Sequence, residues 1–386
     1  MLKTMANVYD RADAWCRQEW HMKGLILSGG YGVRLRPLTY SQQKQLIPVA
    51  NKPILFYCIE DLINAGIHSI GIIVGPNKEQ VMEEVSSVDW DAKITFIHQE
   101  FPGGLAHAVK ISEEFLNKEK FIMYLGDNIL MGGINSFVKE FSESGKEASI
   151  LLTRVSNPEQ FGVALVDWHN KVILELHEKP QNPSSNTAVV GIYGFTSKIF
   201  EAIRNIRPSW RNELEITDAI HWLIKNDYLV SCNMVEGWWK DTGKPEDLLD
   251  ANRRILDALV LKNGERLENG GMVENQGSVR NSILTGRIRI GKNSVIEENT
   301  VVKGPVIIGD GCYISNAYLG PYTSIGNGAR VVHTEIEDSI VMNGSVLIDA
   351  DQIVESLIGK GVVIEGGRKR PNGRRFIVGD NSSVVI

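Results

Sequence analysis

The sequence predicts an α/β domain built on a mostly parallel sheet, followed by a parallel β-helix. Three observations carry this reading. Short apolar runs alternate with amphipathic stretches from Met22 to about Leu261. A polar, glycine-bearing linker then covers residues 262–271, and from 272 to 386 aliphatic residues recur every five or six positions.

Taken in order, Gly24-Leu25-Ile26-Leu27 has the continuous apolar character of a buried strand that ends in a glycine turn. From Pro53 to Ala65, Ile54, Leu55, Ile59, Leu62 and Ile63 fall at helical spacing. Ile70 to Val74, Ile94 to Ile97 and Phe121 to Leu125 again read as strands. Ligands of such sheets collect at the carboxyl ends of the strands. In the last third, Ile290, Ile296, Val302, Ile308, Ile314, Leu319, Ile325, Val331, Ile336, Val341 and Leu347 keep a period that neither a helix nor a simple strand requires. A β-helix does require it, because each short strand sends one aliphatic side chain inward before a tight turn. The chain ends with Arg368-Lys369-Arg370 and Arg374-Arg375, read as a solvated loop, and a strand-like piece from Phe376 to Val378.

Composition narrows the class. The 386 residues are 43% hydrophobic and 23% charged, as in ordinary globular proteins. A net charge of −6 provides no basic field for nucleic acid, so an anionic substrate needs a local cluster of cations. Cys16, Cys58, Cys232 and Cys312 lack metal-ligand or CxxC spacing and read as reduced thiols of a cytoplasmic protein. No apolar run has the length of a membrane span. Residues 1–21 carry Asp10, Arg11, Asp13, Arg17 and Glu19 without an apolar core, which reads as a loose extension and not a signal peptide.

The first strand leads into Gly29-Gly30-Tyr31-Gly32-Val33-Arg34. Glycines here let backbone N–H groups approach a phosphate, although many such turns simply reverse the chain. A dinucleotide fingerprint fails, since Leu35 stands at its last glycine and no acidic residue lies near Lys52; a Walker pattern is absent. Beyond the glycines the chain turns cationic, with Arg34, Lys44 and Lys52. Cations beside a phosphate-sized cradle suit a reaction at phosphorus. Asp127, after the strand ending at Leu125, and Asp241, after Trp238-Trp239, are expected at strand ends. There they can form turns or hold a hard cation equally well.

At this point the chain resembles a known family. Leu27 to Thr39, with Lys44-Gln45-Leu46-Ile47-Pro48-Val49 and Lys52-Pro53, is similar to the signature of nucleoside-diphosphate-sugar pyrophosphorylases. Further blocks match in order: Gln99 to Ala108, Leu125 to Asn128, Phe161 to Val163, Glu178 to Pro180, Arg211 to Asp218 and Trp238 to Gly243. The likeness extends to the long form of the family, whose catalytic domain precedes a hexapeptide-repeat left-handed β-helix. It covers nearly everything after residue 21.

The resemblance implies a Rossmann-like nucleotidyltransferase domain. It also implies Mg²⁺-dependent in-line transfer of a nucleoside monophosphate from dTTP, or alternatively UTP, to glucose 1-phosphate or a related hexose 1-phosphate. Gly29, Gly30, Gly32, Gln99, Gly104 and Asp127 would bind the nucleotide. Gly162, Glu178, Lys179, Val190 and Arg211 would bind the sugar phosphate. Asp127 and Asp241 would hold Mg²⁺, and Arg34 and Lys44 would be catalytic. Val33, Gln43 and Asn212 depart from the usual Thr, Pro or Ser, and Gly; none removes a charged group. Two other classes are weaker. Acyl transfer would rest on a single β-helix histidine, His333, and a non-catalytic homologue would be free to lose the charged set that is intact here. Stacked β-helix faces imply a homo-oligomer.

Overall fold

The computed structural model describes residues 22–30, 32–76, 78–261, 264–267 and 271–366. The expected extension over 1–21, with Cys16, and the terminal basic run and strand from Arg368 to Val378 lie outside the described residues. The chain divides into two compact units, Met1–Ala251 and Asn252–Ile386.

The first unit is built on a nine-stranded sheet. Its strands are β1 (Met22–Ser28), β2 (Ser69–Val74), β3 (Lys93–His98), β4 (Lys120–Leu125), β6 (Ala148–Arg154), β7 (Gly162–Asp167), β8 (Val172–Glu178), β9 (Thr187–Phe195) and β10 (Val230–Met234). A separate two-stranded sheet pairs β5 (Asn128–Leu130) with β11 (Trp239–Asp241). The order across the large sheet is β3-β2-β1-β4-β9-β6-β10-β8-β7.

From β3 to β4 the sheet is parallel, as expected, and β6 and β10 are parallel to each other. The remaining pairings are antiparallel, so the sheet is mixed. One cause is local. The turn between β7 and β8 is four residues long, and Asp167 Oδ1 accepts the His169 N–H at 2.9 Å within it. So short a connection makes a hairpin and cannot make a crossover.

Alternation along β1 divides the core into two layers. Leu25 and Leu27 face a cluster that includes residues of α2 (Leu105–Ile111), α3 (Lys198–Asn205) and α4 (Ile216–Lys225), whereas Ile26 faces the opposite cluster with α1 (Ile54–Asn64). Both faces are therefore covered, which is why the stretch from Gly24 to Leu27 is apolar throughout. Helix α1 buries Ile54, Leu55, Cys58, Ile59 and Leu62, a stripe of i, i+4 and i+8 spacing. Cys58, Cys232 and Cys312 are free and buried.

In the second unit three sheets, parallel except where Glu265–Arg266 pairs antiparallel with Met272–Asn275, stack the predicted aliphatic residues in register. Ile290, Ile308, Ile325, Val341 and Ile358 form one column. Ile296, Ile314, Val331 and Leu347 form a second. Leu284, Val302, Leu319, Ile336 and Ile353 form the third. Most of these side chains are fully buried, so the period is the core itself.

One buried contact makes stability depend on pH. The Tyr124 hydroxyl on β4 donates to Asp61 Oδ2 on α1 at 2.9 Å. Burial nevertheless pushes the Asp61 carboxyl up from 3.8 to about 7, against the lowering from Tyr124. A proton held more tightly in the folded chain stabilises it fully below the unfolded pKa. That share is lost as pH rises through about 7, with a slope of about 1.4 kcal/mol per unit at most. Asp61→Asn removes the titration. Its melting temperature relative to wild type is expected to rise by a few degrees between pH 5 and pH 8, on the order set by chain length. Parallel melting curves for the two proteins would show the opposite.

Candidate active site

Strand order reverses beside β1: β2 lies on one side and β4 on the other. This is the switch point at which open α/β sheets form a crevice. The glycine turn leaves β1 there, and Asp127 follows β4 on the same rim.

The turn is held by neighbours to which the sequence alone gives no role. Gln43 is 5% exposed, and its Nε2 donates to Ser28 O at 3.0 Å and Gly30 O at 2.9 Å. Thr39 Oγ1 donates to Gly32 O at 2.7 Å. Gly32 has φ +60°, and a Cβ there would meet Lys44 Cβ at 2.9 Å. Only glycine permits both that conformation and that approach. Gln43, a departure from the family pattern, thus braces the loop through hydrogen bonds.

Lys44 begins a short 3-10 turn, Lys44–Leu46, and is 6% exposed. Its Nζ lies 2.5 Å from Asp127 Oδ2 and 3.7 Å from Asp241 Oδ1. The two carboxylates meet because β5 and β11 are paired, with Asn128 opposite Asp241. Thr242 locks this pairing, since its N–H and Oγ1 donate to Asp127 O at 3.1 and 2.7 Å. Asn128 Nδ2 donates to Asp127 Oδ1 at 3.0 Å, while Trp239 Nε1 donates to Asn128 Oδ1 at 2.7 Å.

The charges respond to one another. Burial alone would discharge Lys44, but Asp127 and Asp241 hold its pKa above the usual value. Burial likewise opposes ionisation of Asp127, and Lys44 outweighs it, so Asp127 is lowered. Asp241 is pushed up to about 6 by burial and by the Asp127 charge, against Lys44 and Arg34. Its Oδ1 is buried and accepts no hydrogen bond from the described residues. Two carboxylates around one ammonium leave one negative charge over, together with an orphaned acceptor. That donor set fits a hard divalent cation held by one or two carboxylates and completed by phosphates. Among the described residues no cluster of three or more His, Cys, Asp or Glu offers a full protein cage.

Arg34 reaches the same place from the exposed end of the loop. A Cβ on Gly243 would stand 2.9 Å from its Nη2, so the absent side chain makes room for the guanidinium. Arg34 and Asp241 line a cavity of about 730 Å³ with Phe161, Lys179 and Trp239. Arg154 and Lys244 also line it, and sequence reasoning missed both. Lys244 directly follows the Trp238 to Gly243 block, a signal that could have found it; Arg154 ends β6 without any.

Gly162 and Glu178 face each other across β7 and β8. Burial raises the Glu178 carboxyl despite Lys179, 3.6 Å away. Arg211 is strongly engaged: its guanidinium donates to Glu215 at 2.8–3.0 Å and lies 3.1 Å from Glu213 and 3.9 Å from Glu178. The Val190 side chain is 1% exposed within the core, and its carbonyl accepts from Trp239 Nε1 at 3.1 Å. Val190 therefore meets this rim through its main chain and not through its side chain. Gln99 and Gly104 are joined by a 3.4 Å hydrogen bond at the end of β3. His333, in the second unit, is exposed and lies 3.2 Å from Asp349.

Residues 23–258 match the nucleotidyl transferase family, more than half of the chain. The chain belongs to that family and is a sugar-phosphate nucleotidyltransferase. It is 43% identical to the glucose-1-phosphate thymidylyltransferase of Streptomyces antibioticus, over 95% of this chain and 99% of that one. It is 44% identical to the low-salt glycan biosynthesis nucleotidyltransferase of Haloferax volcanii, over 95% and 100%. Among solved structures, a candidate glucose-1-phosphate thymidylyltransferase from Bacillus anthracis in complex with sucrose is 39% identical with TM-score 0.55. The match covers 60% of this chain and 94% of that one.

Gln43→Ala is expected to lower kcat/KM for the nucleotide about tenfold, because two carbonyls of the glycine turn lose their donor. Steady-state pyrophosphate release measures it; unchanged kinetics would mean the loop holds its shape without Gln43.

Proposed function

We propose that the protein catalyses Mg²⁺-dependent transfer of thymidylate from dTTP to glucose 1-phosphate, forming dTDP-glucose and pyrophosphate. The observation that supports it most is the Lys44 ammonium set between Asp127 and Asp241 beside the glycine turn. The resemblance to thymidylyltransferases over nearly the whole chain favours the substrates.

In this reading the triphosphate lies along Gly29, Gly30 and Gly32, with the base at Gln99 and Gly104. The sugar phosphate lies in the cavity beside Trp239 and Lys179, with Gly162 and Glu178 at the hexose. Arg211 receives its position from Glu215, and contributes positive charge to the sugar-phosphate side. A phosphate oxygen of glucose 1-phosphate attacks the α-phosphorus in line. The bond from that phosphorus to the oxygen bridging it to the β-phosphate breaks, and pyrophosphate departs with the electron pair. The attacking oxygen is anionic at neutral pH, so no general base or covalent nucleophile is needed. Arg34 and Lys44 neutralise charge that builds on the phosphate oxygens. Asp127 and Asp241 would hold Mg²⁺, which when bound adds charge neutralisation and alignment of the phosphates. The rigid strand ends supply orientation.

Two measurements test the reading. Pyrophosphate release across a matrix of dTTP, UTP and other triphosphates against hexose 1-phosphates is expected to peak at dTTP with glucose 1-phosphate. A peak at UTP, which shares the polar edge of thymine, would replace the nucleotide. Asp127→Asn and Asp241→Asn are each expected to lower turnover by about a thousandfold or more, since a neutral amide is a poor ligand for a hard cation. Removal of divalent cations should do the same to wild type; turnover that survives both treatments overturns the metal assignment.

A further inference from the structure

Beside the glycine turn, the Gln99 side chain is gripped by a residue that the proposed chemistry does not use. Gln99 is 8% exposed, and its backbone N–H donates to Val74 O at 2.9 Å, which anchors it to the sheet. Its Nε2 carries two protons. One is directed at Gly104 O, 3.4 Å away, and the other at His107 Nδ1, 3.0 Å away. The amide oxygen points the other way: Oε1 stands 3.1 Å from the position a Cβ on Gly29 would take. It accepts no hydrogen bond among the described residues.

This orientation has a chemical cause. A backbone carbonyl only accepts, so turning the amide over would set Oε1 against Gly104 O with no proton between them. His107 completes the choice. With its proton on Nε2 the imidazole accepts at Nδ1 and matches the observed amide; with a proton on Nδ1 it would donate and favour the inverted one. The ring is held in place at the start of α2. Phe101 packs on it at 4.7 Å, and a Cβ on Gly103 would meet it at 2.8 Å.

We propose that His107 is a positioning residue that holds the Gln99 amide with its oxygen toward the glycine turn, so that the site selects bases bearing an N–H on their pairing edge. This rests on the proposed function, in which Gln99 meets the base. Thymine and uracil present N3–H to such an acceptor. Cytosine presents an unprotonated ring nitrogen there, and two acceptors would face each other. A buried polar group left unpaired is the strongest basis for rejecting an analogue. Burial and Lys110, on the same helix, keep the imidazole below its usual 6.5 and therefore neutral at neutral pH. The segments packed against it present the Phe101 ring, the Gln99 amide and the Gly104 carbonyl, none of which titrates. Across Gly104 stands Glu213, itself ion-paired to Arg211.

The test uses the full-length enzyme with dTTP and dCTP at saturating glucose 1-phosphate. His107→Phe keeps the stack on Phe101 and removes the acceptor. It is expected to raise the KM for dTTP about tenfold with kcat within about twofold, and to lower the dTTP-to-dCTP ratio of kcat/KM by about tenfold. His107→Gln, which restores an acceptor, should recover part of that ratio. A His107→Phe enzyme with wild-type KM and wild-type discrimination overturns the proposal. A His107→Gln enzyme that recovers none of the ratio lost in His107→Phe overturns it too. Should wild type release no pyrophosphate from dTTP, the base reading itself fails, and that result is distinct from either of these.

Discussion

Much of the first unit can be understood from one buried ammonium. Lys44 has lost nearly all contact with water, a placement that would discharge an isolated lysine. It keeps its charge because two carboxylates from distant parts of the chain stand against it. Those carboxylates are costly in turn: Asp241 is raised by burial and by the charge of Asp127, and one of its oxygens has no donor among the described residues. The cluster thus holds one carboxylate more than its ammonium can neutralise. Breaking a buried pair leaves an uncompensated charge, so any change to one member is felt by all three.

The scaffold around it converts this balance into position. The pairing of β5 with β11, clamped by Thr242, brings Asp241 to Asp127. Hydrogen bonds from Gln43 and Thr39 shape the glycine turn. Trp239 spans the two sides of the site, donating to Asn128 and to the Val190 carbonyl while its ring packs on Phe161. Gln99 and Gly104 are hydrogen-bonded to each other, and Glu178 lies within 4 Å of both Lys179 and Arg211. The basic residues divide by partnership. Arg211 is fixed by acidic neighbours, whereas Arg34, Arg154 and Lys244 carry no ion pair among the described residues and remain available to anions in the cavity.

The second unit obeys a simpler rule. Each strand is two to four residues long and, apart from Glu265–Arg266, contributes an aliphatic residue to a column. Neighbours in a column come from successive coils, so the whole core is a repeated local pattern. No distant charge or unusual rotamer is needed to specify it.

The contrast between the two units marks the reach of the sequence. Period and composition alone determined the two kinds of architecture, the buried first strand, helix α1 and the aliphatic columns, because these depend on spacing along the chain. Motifs also named the charged set, since reaction at phosphorus demands cations and hard ligands of recognisable type. Tertiary structure decided the rest. The antiparallel half of the sheet depends on hairpins such as the one at Asp167, and a strand's apolar pattern is blind to its neighbour's direction. Lys44 meeting both aspartates, Gln43 bracing the loop, Arg211 being held by Glu215 and the Val190 side chain turning inward all join residues far apart in number or facing directions that spacing leaves open. Hydrogen bonds and ion pairs act over a few ångströms of space, and only the folded chain sets those distances.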